Sequence, residues 1–168
     1  MKIGQLEIDL EELEDFVAKA KRNSYTNGTG KRRGNGGTEF HVFQEGNFHY
    51  TGSYGGSYQS FETEIVRWQK TDGERIWRMC HSGLMSRDYW GNSELKDKIF
   101  GFLGEMLMAD FGYAFKGPSV YDGKDLKCVV KAEGDIQRFS GSRHITGTGA
   151  NNVVLFSQNF LGGLVTPK

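Results

Sequence analysis

Cysteine is scarce in this chain of 168 residues, where only Cys80 and Cys128 carry a thiol. Neither belongs to a Cys-x-x-Cys pair, so the usual zinc, haem-attachment and dithiol-redox motifs are excluded. We expect two free thiols that are buried as small hydrophobic side chains. The length predicts a single domain over residues 1–168, which can bury enough surface to fold without a disulfide or a structural metal.

Net charge and long apolar runs are also missing. Lys and Arg number 21, as do Asp and Glu, so no overall field attracts nucleic acid or an anionic membrane. The longest mostly apolar run, residues 99–108, contains Gly101, Gly104 and Glu105 and is far shorter than the ~20 residues that cross a bilayer. The acidic N-terminus does not resemble a signal peptide. These features predict a cytoplasmic protein that binds no membrane, with loose termini at residues 1–8 and 166–168.

Proline occurs only twice, whereas glycine occurs 24 times, about twice its usual share. An excess of glycine favours many turns between short strands. Residues 27–37 contain no apolar side chain and predict a flexible, Gly-rich basic loop. Within this loop, Lys31, Arg32 and Arg33 provide at most a weak contact for a phosphate backbone, so nucleic acid is not expected as a partner otherwise.

Two segments have the spacing of amphipathic helices. Asp9 and Glu12 resemble a capping box at the start of residues 9–22, where apolar side chains recur every three or four positions. The second segment begins at Ser93, which we expect to cap the helix, and its apolar stripe continues to about residue 110.

Eight short segments have the composition of strands. A two-residue loop, Glu45-Gly46, joins the first two, which pairs Phe43 with Phe48 and places Tyr50 and Tyr54 on one face. Strands and helices do not alternate, so a parallel nucleotide-binding sheet is not expected. The predicted fold class is α+β, an antiparallel sheet of about eight strands that can curve strongly, with two main helices packed on one face. The predicted strands are residues 39–44, 47–54, 61–70, 74–82, 126–132, 135–139, 152–157 and 160–165.

Motifs for known chemistry are absent from the sequence. The Gly-x-Gly segments lack the third glycine of a dinucleotide fingerprint, and the glycines before Lys31 do not form a Walker A loop. The four histidines show no metal-ligand spacing, and the hairpin register places His41 and His49 on opposite faces. We therefore predict no metal and no cofactor.

Aromatic residues are concentrated between residues 40 and 90. Tyrosine and tryptophan favour places that are apolar at one end and wet at the other. A sheet that is covered by helices on one face has a second face that can curve into a groove, and an aromatic groove with charged neighbours suits a small molecule. The candidate ligand-binding residues are Tyr50, Tyr54, Glu64, Arg67, Trp77, His81 and Arg143.

Three functions remain open from these residues. The leading hypothesis is a non-enzymatic small-molecule-binding or regulatory domain that uses the aromatic groove. Alternatively, Glu64 acts with His81 or His144 as acid and base in an enzyme, since Glu62 and Glu64 share one face of a strand. The aromatic face is otherwise a second core layer or the interface of a homodimer.

Spaced landmarks run from about residue 16 to residue 163. They are Phe16, Ala20 and Tyr25; Tyr50-x-x-x-Tyr54-x-Gly56; Trp77-x-Met79-x-x-x-Gly83; Gly117-Pro118-x-x-Tyr121; Gly134-Asp135-x-x-x-Phe139-x-Gly141; and Phe160-x-Gly162-Gly163. Their order resembles a small uncharacterised prokaryotic domain family of unknown function. Members of that family sometimes follow an XRE-type helix-turn-helix module, so the resemblance implies a sensor or effector-binding role for a free-standing domain. The chain has Gly52, His81 and Arg143 where the family pattern has an aspartate, an aromatic residue and a glutamate, so the resemblance is one of scaffold.

Overall fold

Antiparallel strands are the main elements of the molecule. A computed structural model describes residues 1–3, 6–26, 32–33, 38–109, 118–149 and 153–165. The strands of the main sheet are β3 (Arg32–Arg33), β4 (Glu39–Glu45), β5 (Phe48–Gly56), β6 (Gln59–Trp68), β7 (Arg75–Met85), β8 (Val120–Asp122), β9 (Leu126–Asp135), β10 (Arg138–Gly147) and β11 (Val154–Leu164). The sheet is open, and its strands lie in the order β3-β4-β5-β6-β7-β11-β10-β9-β8, which confirms the predicted α+β class. The short strands β3 and β8 were not expected, and the eight predicted segments form the other seven strands.

The two predicted helices are present as α1 (Leu10–Thr26) and α2 (Ser93–Met108), and a short 3-10 helix covers Arg87–Tyr89. The Asp9 carboxylate accepts hydrogen bonds from two backbone N–H groups of the first turn of α1, as the capping pattern predicts. At α2 the predicted cap is wrong by one residue. Asn92 is the N-cap, because its Oδ1 accepts from the N–H of Leu95 at 2.9 Å.

The β4–β5 hairpin differs from the prediction in register but not in the faces of its strands. The loop is Gly46-Asn47, with Gly46 at φ +56°, so Phe43 pairs with Tyr50 rather than with Phe48. The register is therefore displaced by two positions. Because side chains alternate with a period of two, this displacement keeps Phe43, Tyr50 and Tyr54 on the same face.

The last three predicted strands had wrong boundaries. Asp135 starts a turn, since its Oδ1 accepts from the N–H groups of Gln137 and Arg138, and β10 begins only at Arg138. The two strands predicted over residues 152–157 and 160–165 are a single strand, β11, which continues through Gln158. Gln158 is a polar residue on the inward face of an otherwise apolar strand, and for that reason the sequence suggested a break between two strands at this position.

The N-terminal residues, for which we expected a loose terminus, form a small hairpin of β1 (Lys2–Ile3) and β2 (Leu6–Glu7). The N-terminal ammonium donates to the carbonyl of Ile8 at 2.7 Å, and the Ile8 side chain is buried. Most of the predicted loop over residues 27–37, and the predicted loose end over residues 166–168, lie outside the described residues. Within that loop, β3 pairs with β4.

Both helices pack on the same face of the sheet, as predicted, and the core fills the space between them. The core side chains of the helices are Leu13, Phe16, Val17 and Ala20 from α1 and Ile99, Phe102, Leu103 and Met106 from α2. The opposite, outer face of the sheet exposes apolar side chains at Val42, Phe61, Leu84 and Leu161. Among the described residues, neither helix is long and apolar enough to cross a membrane.

Candidate functional site

A cavity of about 410 Å³ lies between the sheet and the two helices. The sequence pointed to a groove on the face without helices, and that expectation was wrong, because the cavity opens on the helix-covered face. Lys21 and Ser24 of α1 form one side of it. The apolar side chains of Phe100, Leu103 and Leu107 on α2 form another. The volume falls within the range of about 300–1,000 Å³ that is usual for small-molecule sites.

Polar side chains from four neighbouring strands form the side of the cavity opposite the helices, which we call the polar floor. Because alternate residues of a strand point to the same face, each of these side chains is directed inward by its position in the strand. Glu62 of β6 pairs with His81 of β7, and Gln158 of β11 pairs with Arg143 of β10. The residues of the polar floor are Glu62, Glu64, His81, Arg143 and Gln158.

Glu64 of the polar floor lies on β6 and is only 2% exposed. Its Oε1 lies 2.7 Å from Nε2 of His81 and 3.1 Å from Nζ of Lys21. Lys21 comes from α1, is itself buried, and also contacts the sulfur of Met79 at 3.2 Å. A buried ion pair therefore connects α1 to the middle of the sheet.

The two glutamates of the polar floor have pKa values that are shifted in opposite directions. Burial by itself raises the pKa of Glu64, but the charge of Lys21 and the hydrogen bond from His81 outweigh it and hold the pKa at about 2. Burial raises the pKa of Glu62, and the neighbouring Glu64 charge adds to this effect against the opposing charges of His81, Lys21 and Arg143. Divergent pKa values of two adjacent carboxyl groups are a feature of acid–base and ligand-binding sites.

Several buried polar atoms of the site have no hydrogen-bond partner within the described part of the chain. They are Oε2 of Glu64, Nδ1 of His81, Nε of Arg143 and Oε1 of Gln158, and all four residues line the cavity. The remaining atom of this kind is Nδ1 of His49, whose residue does not line the cavity. Unpartnered buried polar atoms are rare in folded proteins, and four of the five found among the described residues belong to residues that line this cavity.

Among the described residues, Glu62, Glu64 and His81 form a group that could hold a metal ion, since one donor atom of each lies within 4.8 Å of the others. Carboxylate and imidazole groups are suitable ligands for divalent transition metals. However, Lys21 already contacts Glu64 at 3.1 Å, and the buried Arg143 guanidinium is close enough to affect the pKa of Glu62. Two fixed positive charges oppose the entry of a dication. The charges around the cluster are therefore unfavourable for a metal ion.

Residues 63–165 match the family described as a domain of unknown function, DUF5680. The chain belongs to this family. No curated protein and no solved structure matches it. The DUF5680 segment contains Glu64, His81, Arg143 and Gln158, whereas Lys21 and Glu62 precede it. The expected uncharacterised domain is thus confirmed, while prokaryotic origin and attachment to XRE-type modules stay predictions.

Five of the seven candidate ligand-binding residues line the cavity: Tyr50, Tyr54, Glu64, His81 and Arg143. Of these, only Tyr50 and Tyr54 lie outside the DUF5680 segment. The Tyr54 ring contacts Phe100 of α2 edge-on, with the ring centroids 6.0 Å apart. The structure thus brings together an aromatic pair and the charged residues, as the groove hypothesis required, and their role in binding a ligand stays a prediction.

The other two candidates in the DUF5680 segment, Arg67 and Trp77, lie away from the cavity. Trp77 is fully buried in the core, where its Nε1 donates to the carbonyl of Ile136 at 3.1 Å and its ring stacks on Phe139. Arg67 pairs with His49 on the outer face, because it follows the inward-facing Val66. The sequence placed both residues at the groove, and this prediction was wrong.

The sequence did not single out Lys21 or Gln158 as site residues. Lys21 resembled one of several cations at the end of a helix, and Gln158 resembled a break between strands. The spacing of Glu62 and Glu64 on one strand face was the one available signal. His144 is also excluded as a partner of Glu64, because it follows the inward-facing Arg143 and its Nδ1 lies 3.0 Å from the hydroxyl of Ser157 on the outer face.

Proposed function

We propose that this DUF5680 protein is a non-enzymatic small-molecule-binding or regulatory domain whose ligand occupies the cavity above the polar floor. The observation that carries the proposal is the convergence of four unpartnered, buried polar atoms on one cavity. Each such atom costs about 1–3 kcal/mol when it is left without a hydrogen bond. A ligand that supplies the missing partners recovers this free energy and so stabilises the folded protein.

The walls of the cavity support the same proposal, because they combine apolar and polar surfaces. Phe100, Leu103 and Leu107 of α2 face the cavity from one side, and the polar floor faces it from the other. Small-molecule sites typically have this mixture of an apolar wall with a few convergent polar groups. The ligand is accordingly amphipathic, with an apolar part against α2 and polar groups that reach the floor.

A thermal-shift screen of a metabolite library tests the proposal when the wild type and Leu107→Trp are screened side by side. Leu107 is only half-buried, so the indole enters the cavity without disrupting the core. A ligand of the cavity raises the Tm of the wild type but not that of the variant. Compounds that raise both Tm values bind elsewhere. If no compound separates the two proteins, the cavity is not a binding site and the proposal fails.

An acid–base enzyme is the second candidate, and the contact of 2.7 Å between Glu64 and His81 favours it. Divergent pKa values at Glu62 and Glu64 would supply one protonated and one ionised carboxyl group to the same substrate. Mass spectrometry of each ligand after incubation with the protein separates the two functions. A binding domain returns the compound unchanged. An enzyme converts it, and Glu64→Gln removes the conversion.

A further inference from the structure

We propose that the ligand of this cavity is a carboxylic acid, whose single carboxylate binds the guanidinium of Arg143 beside Gln158 while its apolar body lies against α2. This inference rests on the proposed function and adds the chemical class of the ligand. The charges of the buried side chains at the cavity balance except at one position.

That position is Arg143, whose side chain is nearly completely buried, at 4% exposure of the residue. Its Nε has no hydrogen-bond partner, and no carboxylate of the described residues lies within ion-pair distance of its guanidinium. The guanidinium lies 5.3 Å from the ring centroid of Phe160, which provides only partial compensation for its charge. Because arginine does not lose its proton in proteins, an unpaired buried guanidinium requires an anion.

The other buried cation of the cavity, Lys21, is already neutralised by Glu64 at 3.1 Å. One positive charge therefore remains, and a carboxylate carries one negative charge. A phosphate monoester carries about 1.5–2 negative charges, so it would exceed the charge of Arg143 and be repelled by Glu64. Burial raises the pKa of Glu62, which favours its neutral form and reduces the repulsion of an incoming carboxylate.

The geometry of the floor also suits a carboxylate. The planar guanidinium fork binds two carboxylate oxygens at once, and it is directed inward from β10 next to the Gln158 amide on β11. Two acceptors in the same cavity, Oε1 of Gln158 and Oε2 of Glu64, have no donor. A hydroxyl or amino group on the ligand would supply one. The chemical class is thus an amphipathic carboxylic acid with at least one hydrogen-bond donor.

Isothermal titration calorimetry with three probes tests this assignment. The probes are p-hydroxyphenylacetate, its neutral analogue p-hydroxyphenylacetamide, and phenyl phosphate. The wild type should bind the acid about tenfold or more tightly than the amide, as a charge-assisted hydrogen bond requires. In Arg143→Met this preference should disappear. The assignment is overturned if the wild type binds the amide or the phosphate as tightly as the acid, or if it binds none of the probes. It is also overturned if Arg143→Met still prefers the acid to the amide.

Gln158→Glu provides a second variant that keeps Arg143 in place. The new carboxylate lies next to the guanidinium and acts as a built-in counterion, so the Tm should rise and the preference for the acid should be lost. If Arg143→Met does not fold, Gln158→Glu tests the assignment alone. A Gln158→Glu protein that still prefers the acid to the amide as strongly as the wild type overturns the assignment. Should the library screen find cavity ligands while the acid shows no advantage, the carboxylate assignment fails and the proposed function stands. Should neither the screen nor the probes show binding, both fail.

Discussion

His81 pairs with Glu62 in the sheet register, yet its Nε2 lies 2.7 Å from Oε1 of Glu64, the diagonal neighbour. Diagonal positions on adjacent strands are about 7–8 Å apart at the backbone, which long side chains can bridge. Glu64 thereby contacts both His81 and Lys21. This asymmetry explains why two carboxyl groups on the same strand face differ in pKa. Substitutions of the two glutamates should therefore affect the stability of the protein differently.

Glu64→Gln and Glu62→Gln should change stability in opposite directions at neutral pH. Folding lowers the pKa of Glu64 from 4.5 to about 2, so its ionisation stabilises the protein above about pH 4.5, and this contribution is lost as the pH falls towards 2. Glu64→Gln should therefore lower the free energy of unfolding by about 3 kcal/mol. Folding raises the pKa of Glu62, so its ionisation is unfavourable in the folded state and Glu62→Gln should stabilise the protein at neutral pH.

Urea unfolding of both variants and the wild type, at neutral pH and at several acidic values, measures these effects. The difference between the wild type and Glu64→Gln should shrink as the pH approaches 2. Equal destabilisation by both substitutions at neutral pH would contradict the assigned pKa directions.

Removal of the Lys21 ammonium should be strongly destabilising. Lys21→Met leaves the Glu64 charge buried with His81 as its remaining ion-pair partner among the described residues, and breaking a buried ion pair in this way costs about 3–5 kcal/mol. Lys19→Met is the matched control on the same helix, because Lys19 forms an ion pair with Glu45 at the surface, where both side chains are half exposed. Thermal and urea unfolding should show a large loss for the first variant and little change for the second. Similar losses for both would argue against a buried ion pair.

Trp77→Phe tests whether Trp77 belongs to the core rather than to the cavity. The substitution leaves the Ile136 carbonyl without its donor and creates a small void, so the free energy of unfolding should fall by about 1–3 kcal/mol. The folded Trp77→Phe protein should bind a cavity ligand with the same affinity as the wild type. Trp90→Phe is the control, because Trp90 is 47% exposed and its Nε1 likewise donates to a backbone carbonyl, that of Met85 at 2.9 Å, so the same kind of hydrogen bond is removed outside the core. A loss of ligand affinity in Trp77→Phe but not in Trp90→Phe would show that Trp77 belongs to the binding site and would contradict its assignment to the core.

Two glycine substitutions should have opposite effects, because the glycines have different surroundings. A Cβ on Gly141 would lie 2.5 Å from the Phe160 ring and 2.6 Å from the backbone oxygen of Lys131, so Gly141→Ala overpacks the sheet and should cost about 1–3 kcal/mol. A Cβ on Gly101 of α2 meets nothing within 4 Å, so Gly101→Ala should stabilise the protein by up to about 1 kcal/mol. Urea unfolding measures both, and a stabilised Gly141→Ala variant would contradict the close approach of Phe160 to the β9–β10 pair.

The fold class was predictable because it depends on local patterns. The Asp9 cap and the alternation of apolar residues in β4 and β5 are readable from neighbouring positions, and a displaced register of the hairpin left the faces unchanged. The face that the helices cover was not predictable. Both faces of this hairpin contain apolar residues, and only the packed structure shows that Val42 is exposed while Phe48 is buried.

The site was predictable only where an aromatic or charged residue stood out from its neighbours. The sequence pattern suggested that Glu64 was one of two exposed carboxylates on a strand. Its burial could not be predicted, because it depends on Lys21, which is remote in sequence and belongs to a helix. Gln158 interrupted an apolar pattern and so concealed both the continuity of β11 and its own place in the cavity. In both cases the surroundings of the polar side chain are formed by residues that are remote in sequence, which local patterns do not reveal.

The most direct test of ligand binding above the polar floor is a methyl NMR titration of the leucine-labelled protein with a hit from the library screen. Leu103 and Leu107 line the cavity, whereas Leu84 and Leu161 lie exposed on the outer face of the sheet. Binding in the cavity predicts saturable shifts at Leu103 and Leu107 with none at Leu84 and Leu161. Shifts confined to Leu84 and Leu161, or no saturable shift at any of the four, would contradict the account.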